Sequence, residues 1–75
     1  MQVEIRLFAG LREGRFKKQP GTPMPDGARL ADVLRLLGIA DEEVCLPLVN
    51  GRYSSLDCAL HEGDVVSLFP AAGGG

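Results

Sequence analysis

Residues 29–37 read RLADVLRLL, and their apolar side chains recur at the spacing of an α-helix. The positions i, i+3, i+4 and i+7 that share one face are Leu30, Val33, Leu34 and Leu37. Asp26 is a candidate for the residue that caps the start, and Gly38 suits the left-handed conformation that often ends a helix. The segment therefore predicts one amphipathic helix, which must bury its apolar face against other elements.

The segments on either side of this helix predict β-strands. In QVEIRLFA, residues 2–9, apolar and polar residues alternate with the period of a half-buried strand, and Phe8 falls on the polar side. Asn50-Gly51 is a strong hairpin-turn signal. Pro47 has no N–H, which favours an edge or an irregular position for its strand. The expected strands are residues 2–9, 15–19, 45–50, 52–55 and 65–69.

One helix among several short strands predicts an α+β fold, in which the helix packs across one face of a small mixed sheet. A chain of 75 residues allows a single domain. We expect this domain to span residues 1–70 and to be followed by a flexible glycine tail at residues 71–75. Because one helix covers only one face of a sheet, the other face must be polar or must meet a partner.

Composition argues against several classes of function. The net charge of −2 disfavours nucleic-acid binding, and no apolar run reaches the roughly 18 residues of a membrane span. The start of the chain lacks the features of a signal peptide, so we expect a cytoplasmic protein. One histidine and two cysteines offer no metal site, and we interpret Cys45 and Cys58 as small structural hydrophobes. Without an acid–base pair or an activated nucleophile, the chain is not expected to be an enzyme or to bind a cofactor.

The sequence AAGGG at residues 71–75 has two interpretations: a frayed end, or a reactive tail. Glycine has no Cβ, so such a tail can enter a narrow channel. Extended, Pro70 to Gly75 spans about 20 Å. A terminal carboxylate is ionised and is a poor electrophile, so it must first be activated, most simply as an acyl-adenylate made from ATP. A sulfur nucleophile that displaces AMP then leaves a thiocarboxylate.

Four segments resemble the MoaD/ThiS family of ubiquitin-like sulfur carriers, and among its members the chain is most similar to MoaD, the small subunit of molybdopterin synthase. They are EIRLFAGLRE (4–13), LVNGRY (48–53), LHEGDVVSLFP (60–70) and the ending LFPAAGGG (68–75). The chain departs from the family pattern in GRFKKQPGTPMPDG (14–27), at Arg29 where a Ser or Thr often caps the helix, and at Gly73.

This resemblance implies a β-grasp fold and a function at the carboxylate of Gly75. An E1-like enzyme of the MoeB/ThiF type would use ATP to adenylate Gly75, which would become a thiocarboxylate that donates sulfur. Gly74 and Gly73 would be recognised as part of the tail. A MoaE-like large subunit would receive the tail and transfer the sulfur to a pterin precursor.

The resemblance also implies that the first and last strands are neighbours. Phe8 and Phe69 would then lie together on the face away from the helix, where, with Pro70, they would form a partner-binding patch. The alternative is that one of the two rings simply packs under a loop. Four nearby cations form a solvated loop or a docking patch for an acidic partner: Arg12, Arg15, Lys17 and Lys18. We interpret His61 as a surface residue, and Asn50 and Gly51 as structural.

Other functions remain as alternatives. The opening Phe-Ala-x-Leu-Arg-Glu (8–13) and Pro70 after Phe69 favour a MoaD-like over a ThiS-like carrier, whereas the sequence cannot separate a carrier from a protein modifier. A ThiS-like carrier would donate sulfur for thiazole synthesis, and a related carrier would serve a tungsten cofactor. A ubiquitin-like modifier would instead join Gly75 to lysines of target proteins. A plain interaction module would carry an inert tail.

Overall fold

The chain folds into a five-stranded mixed sheet with one helix, in a computed structural model that describes residues 1–71. The strands are β1 (Gln2–Leu7), β2 (Lys18–Pro23), β3 (Val44–Val49), β4 (Arg52–Tyr53) and β5 (Val65–Pro70), and the helix is α1 (Leu30–Leu37). Two short 3₁₀ helices span Ala9–Arg12 and Asp41–Glu43. The order across the sheet is β2-β1-β5-β3-β4, in which β1 and β5 run parallel and the other neighbours are antiparallel. The predicted α+β class and the β-grasp fold are confirmed.

The core lies between α1 and one face of the sheet. Alternate residues of β1 and β5 point into it, and so does the apolar face of the helix. The fully buried side chains are Val3, Ile5, Leu7, Leu30, Val33, Leu34, Val66 and Leu68. Burying each such side chain contributes about 1.5–3 kcal/mol to folding. The periods predicted for β1 and α1 therefore identified the core correctly, although β1 ends two residues earlier than expected.

The N-terminal cap of α1 differs from the prediction, whereas its C-terminal end agrees with it. Arg29, not Asp26, is the N-cap residue, and its N–H donates to the Asp32 carboxylate at 2.8 Å. Asp26 instead lies 3.3 Å from the Met1 amino nitrogen. Gly38 ends the helix at φ 70°, in the left-handed conformation.

Strand β2 occurs later in the chain than the predicted 15–19 and contains two prolines. Thr22 pairs with Val3 and Gln19 pairs with Ile5, so the intervening Pro20 and Gly21 form a bulge opposite a single β1 residue. Gly21 provides the positive φ of 62° that this bulge uses. The prolines are tolerated because β2 is at the edge of the sheet, where a missing N–H costs no ladder bond.

Strand β3 lies inside the sheet, between β5 and β4, and not at the edge predicted from Pro47. The Pro47 carbonyl accepts a hydrogen bond from Ser54 N–H at 3.1 Å, on the side of β4. The nitrogen and carbonyl of one strand residue point to the same side, so the missing N–H of Pro47 faces away from β5. The next turn is as predicted, with Asn50 at φ 53° and Gly51 at φ 80°.

Candidate functional site

Phe8 and Phe69 stack on the sheet face that α1 leaves uncovered. In the parallel β1–β5 pair Leu7 lies opposite Leu68, so the next residue of each strand comes to the same place. The two ring centroids are 4.1 Å apart, with 10° between the ring planes. The predicted position is confirmed, but each ring is half-buried rather than exposed, because each covers the other.

Two further apolar side chains extend this surface. Leu46 lies opposite Phe69 and is 39% exposed, and Tyr53, opposite Leu48, is 70% exposed. We call Phe8, Phe69, Leu46 and Tyr53 the aromatic face. Sequence reasoning missed both additions. The two-residue turn at Asn50-Gly51 places Tyr53 opposite Leu48, so the sequence held a signal for Tyr53. The position of Leu46 depends on a register shift between β3 and β5, which the alternation of apolar and polar residues does not reveal.

The tail begins beside the aromatic pair. β5 ends at Pro70, which is half-buried and pairs with Val44. Because β1 and β5 are parallel, their carboxyl ends lie at the same edge of the sheet. Residues 72–75 lie outside the described part of the chain, so the roles assigned to Gly73, Gly74 and Gly75 stay predictions.

A groove of about 300 Å³ lies next to Phe8, at the same edge. Its lining residues are Arg6, Leu7, Phe8, Arg12, Lys17 and Lys18. The guanidinium carbon of Arg12 lies 5.5 Å from the centroid of the Phe8 ring, in the range of a cation–π contact. Arg12 Nε donates to the Leu7 carbonyl at 2.7 Å, which holds the side chain in place. We call this surface the cationic groove.

Arg15, the fourth member of the predicted basic cluster, belongs to a different part of the molecule. It donates to the Leu37 carbonyl at 3.1 Å and to the Gly38 carbonyl at 3.4 Å, at the C-terminal end of α1, and to the Leu11 carbonyl at 3.2 Å. A cation is favoured at this end of a helix. Arg15 therefore stabilises the contact between this helix end and the 3₁₀ helix that contains Leu11, and it does not line the groove. Arg6, which was not part of the predicted cluster, lines the groove instead.

Asn50 connects the β3–β4 turn to the start of β5. Its Nδ2 donates to Asp64 Oδ1 at 2.9 Å, and its Oδ1 accepts from Val65 N–H at 2.9 Å. Asp64 Oδ2 also accepts from His61 N–H at 2.8 Å. These bonds agree with the structural role predicted for Asn50, and they fix the strand that leads to the tail.

Other candidate residues add little chemistry to the site. Cys45, which we interpreted as a small structural hydrophobe, is exposed, and Cys58 is half-buried. His61 is exposed, as predicted. Within residues 1–71 no three His, Cys, Asp or Glu side chains are grouped to hold a metal ion. In the same range, no helix has the length and apolar character needed to cross a membrane.

Comparisons with known proteins give consistent similarities over nearly the whole chain. A family model described as the ThiS family matches residues 5–75. Small archaeal modifier protein 3 from Haloferax volcanii is 37% identical over 92 residues, covering 100% of both chains. SAMP1 from the same organism superposes with a TM-score of 0.77 at 27% identity, again over 100% of both chains. A Pyrococcus furiosus protein assigned as molybdopterin converting factor, subunit 1, superposes with a TM-score of 0.76 at 30% identity, over 96% of this chain and 99% of that one.

Proposed function

Since this chain belongs to the ThiS family, we propose that it is a sulfur carrier whose Gly75 is adenylated and then converted to a thiocarboxylate. One observation carries the proposal: the family match extends from β1 through the glycine tail to Gly75. The ubiquitin-like fold supports it, and so does the end of β5 at Pro70, next to the aromatic face. The chain then serves as a substrate for other enzymes and not as a catalyst.

The chemistry proceeds in two balanced steps. A carboxylate oxygen of Gly75 attacks the α-phosphorus of ATP, pyrophosphate leaves, and an acyl-adenylate forms. A hydrosulfide-level sulfur donor then attacks the acyl carbon and AMP leaves, which gives the thiocarboxylate. The activating enzyme, of the E1-like MoeB/ThiF type, holds ATP and supplies the catalytic groups, so the carrier itself needs no bound cofactor.

The geometry of the described residues suits this role. A tail from Pro70 to Gly75 reaches about 20 Å when extended, enough to enter another protein's active site. Phe8 and Phe69 lie where the tail leaves the sheet, so a partner that takes the tail also covers them. Half-buried aromatic side chains are typical anchors of such interfaces.

The decisive experiment measures the intact mass of the protein after incubation with ATP, a sulfur source and an extract of its native cell. We expect one oxygen to be replaced by sulfur, the change to map to Gly75, and a variant lacking Gly75 to stay unmodified. Phe8→Ala should slow the reaction, while Leu36→Ala should not, because Leu36 is also exposed but lies on α1. An unchanged mass in an extract that thiolates a known carrier would contradict the proposal.

A ubiquitin-like modifier is the second candidate, because two of the similar proteins are named or abbreviated as archaeal modifiers. In that case a lysine amine of a target protein attacks the activated Gly75 carbonyl, AMP leaves, and an isopeptide bond forms. Denaturing gels and mass spectrometry of glycine-branched lysines would detect the conjugates. Conjugates without any thiocarboxylate would favour this candidate over sulfur transfer.

For the sulfur acceptor we propose a molybdopterin-type precursor bound to a MoaE-like subunit. The similarity to a protein assigned as molybdopterin converting factor, subunit 1, supports this choice. Mixing thiocarboxylated protein with a MoaE-like subunit and pterin precursor should produce the dithiolene product and return the unmodified carboxylate. Transfer only in a thiazole-forming reaction would overturn this assignment and favour the ThiS-like alternative.

A further inference from the structure

The cationic groove carries more positive charge than its surroundings neutralise. Its four cationic residues are Arg6, Arg12, Lys17 and Lys18. Among residues 1–71, the only carboxylate within ion-pair distance of them is that of Glu4, which contacts Arg6 and lies 3.9 Å from Lys18 Nζ. Four cations against one carboxylate leave three positive charges uncompensated, on a protein whose net charge is −2.

The fold holds these cations together, although they come from separate segments. Arg6 pairs with Lys18 across β1 and β2, so both side chains lie on the sheet face without the helix. The Lys17 carbonyl accepts a hydrogen bond from Leu7 N–H at 2.9 Å, which brings its residue beside Phe8. Arg12 Nε donates a hydrogen bond to the Leu7 carbonyl, while the two terminal nitrogens of Arg12 have no partner among the described residues. Those two nitrogens can bind a carboxylate in a bidentate manner.

The groove is continuous with the aromatic face and with the start of the tail. Phe8 lines the groove and also stacks on Phe69, one residue before β5 ends. A protein that accepts the tail therefore covers the groove as well. Covering this excess of three positive charges with an apolar or basic surface would remove the water around them without replacing it, which is costly.

We propose that the cationic groove is a docking site for an acidic segment of the protein that receives the tail. That segment presents two or three Asp or Glu side chains to Arg12, Lys17 and Lys18, and an apolar side chain that packs on Phe8. The groove is open and its volume is at the lower limit of small-molecule pockets, about 300–1,000 Å³. It therefore favours separate carboxylate side chains over a nucleotide. The identity of the occupant as the tail-receiving protein rests on the function proposed above.

The test uses NMR titration of the unmodified full-length protein with short synthetic peptides. The acidic peptide contains Asp and Glu around one Leu, and the control peptide has Asn and Gln in their place. We expect the acidic peptide to shift the amide signals of Phe8, Arg12, Lys17 and Lys18, and to bind more weakly as NaCl is added. The neutral peptide should bind at least about tenfold more weakly.

Two charge reversals provide matched variants. Lys17→Glu should weaken binding of the acidic peptide severalfold, because it removes one exposed charge pair and adds a repulsion. Arg52→Glu makes the same change in net charge at β4, across the sheet, and should leave the binding nearly unchanged. Both side chains are exposed, so neither substitution should unfold the protein.

Three results would overturn the inference: equal binding of the acidic and neutral peptides, shifts centred on α1 or β4, or saturable binding of inorganic phosphate that reproduces the same shifts. The last would make the groove a small-anion site. The titration needs neither ATP nor sulfur, so its outcome is separate from that of thiolation. Normal thiolation without peptide binding would refute the groove alone, and binding without thiolation would refute the carrier function alone.

Discussion

Exchanging the side chains of Asn50 and Asp64 tests the bond that ties the β3–β4 turn to β5. Asn50 Nδ2 donates to Asp64 Oδ1 at 2.9 Å. The Asp64 side chain is only 13% exposed, whereas Asn50 is exposed, so solvent screens this bond in part. The set comprises Asn50→Asp, Asp64→Asn and the double variant. Asp tolerates the left-handed conformation of position 50, at φ 53°, so the backbone should not be disturbed.

The expected losses of stability follow from the contacts. Asn50→Asp removes a hydrogen bond to a charged group, which costs about 1.5–3 kcal/mol. It also places two carboxylates at hydrogen-bond distance, which costs about 1 kcal/mol more even with the dielectric constant of water. Asp64→Asn should cost about 1–2 kcal/mol, because one amide oxygen must replace two carboxylate oxygens that accept from Asn50 and His61.

The double variant should recover most of this loss. The amide at position 64 then donates to the carboxylate at position 50, and its oxygen still accepts from His61 N–H. We expect a net loss below about 1 kcal/mol and a coupling energy of about 2 kcal/mol or more in the double-mutant cycle. Urea unfolding followed by far-UV circular dichroism measures each value, since an m-value of about 1 kcal/mol/M converts the shift in midpoint directly. If the two single losses simply add in the double variant, the bond does not stabilise the fold as argued.

The remaining predictions concern α1 and the aromatic pair. Gly38→Ala should lower the free energy of unfolding by about 1 kcal/mol in thermal melts. The cause is the φ of 70° alone, because an added Cβ meets no atom within 4 Å. Gly10→Ala is the control and should be nearly neutral, because position 10 is equally open but has no positive φ. Arg15→Ala should cost about 1–2 kcal/mol in urea unfolding and leave the rate of thiolation unchanged, and a slower thiolation would contradict its purely structural role. In a double-mutant cycle to Ala, Phe8 and Phe69 should show a coupling of about 0.5–1.5 kcal/mol in the isolated protein, and a coupling near zero would mean that the stack contributes only by covering area.

Much of the fold could be predicted because its elements follow local rules. The 3.6-residue period of RLADVLRLL and the glycine after it located α1, and alternation in β1 identified its buried side chains. The turn at Asn50-Gly51 followed from two residues that accept positive φ. The family resemblance added the β1–β5 pairing and, from it, the meeting of Phe8 and Phe69.

Segments where the local rules conflict with tertiary pairing were predicted less well. Proline is unfavourable inside a strand, yet β2 contains Pro20 and Pro23, because it pairs with β1 at an edge of the sheet. The nitrogen of Pro47 faces away from β5, so β3 could be placed inside the sheet. In both strands, whether a proline is tolerated depends on whether its nitrogen faces a neighbouring strand that needs a hydrogen-bond donor. The periodicity of the sequence does not show which strand that neighbour is.

The sequence by itself determined the class of fold and most of the core, because these depend on residue type and local periodicity. Only the tertiary structure decided which cations share a surface: Arg15 went to the end of α1, and Arg6 joined Arg12 beside Phe8. It also joined two motifs far apart in the sequence through the bond between Asn50 and Asp64. These outcomes depend on strand register and on contacts between distant segments, and such contacts are fixed only when the whole sheet has closed around its core.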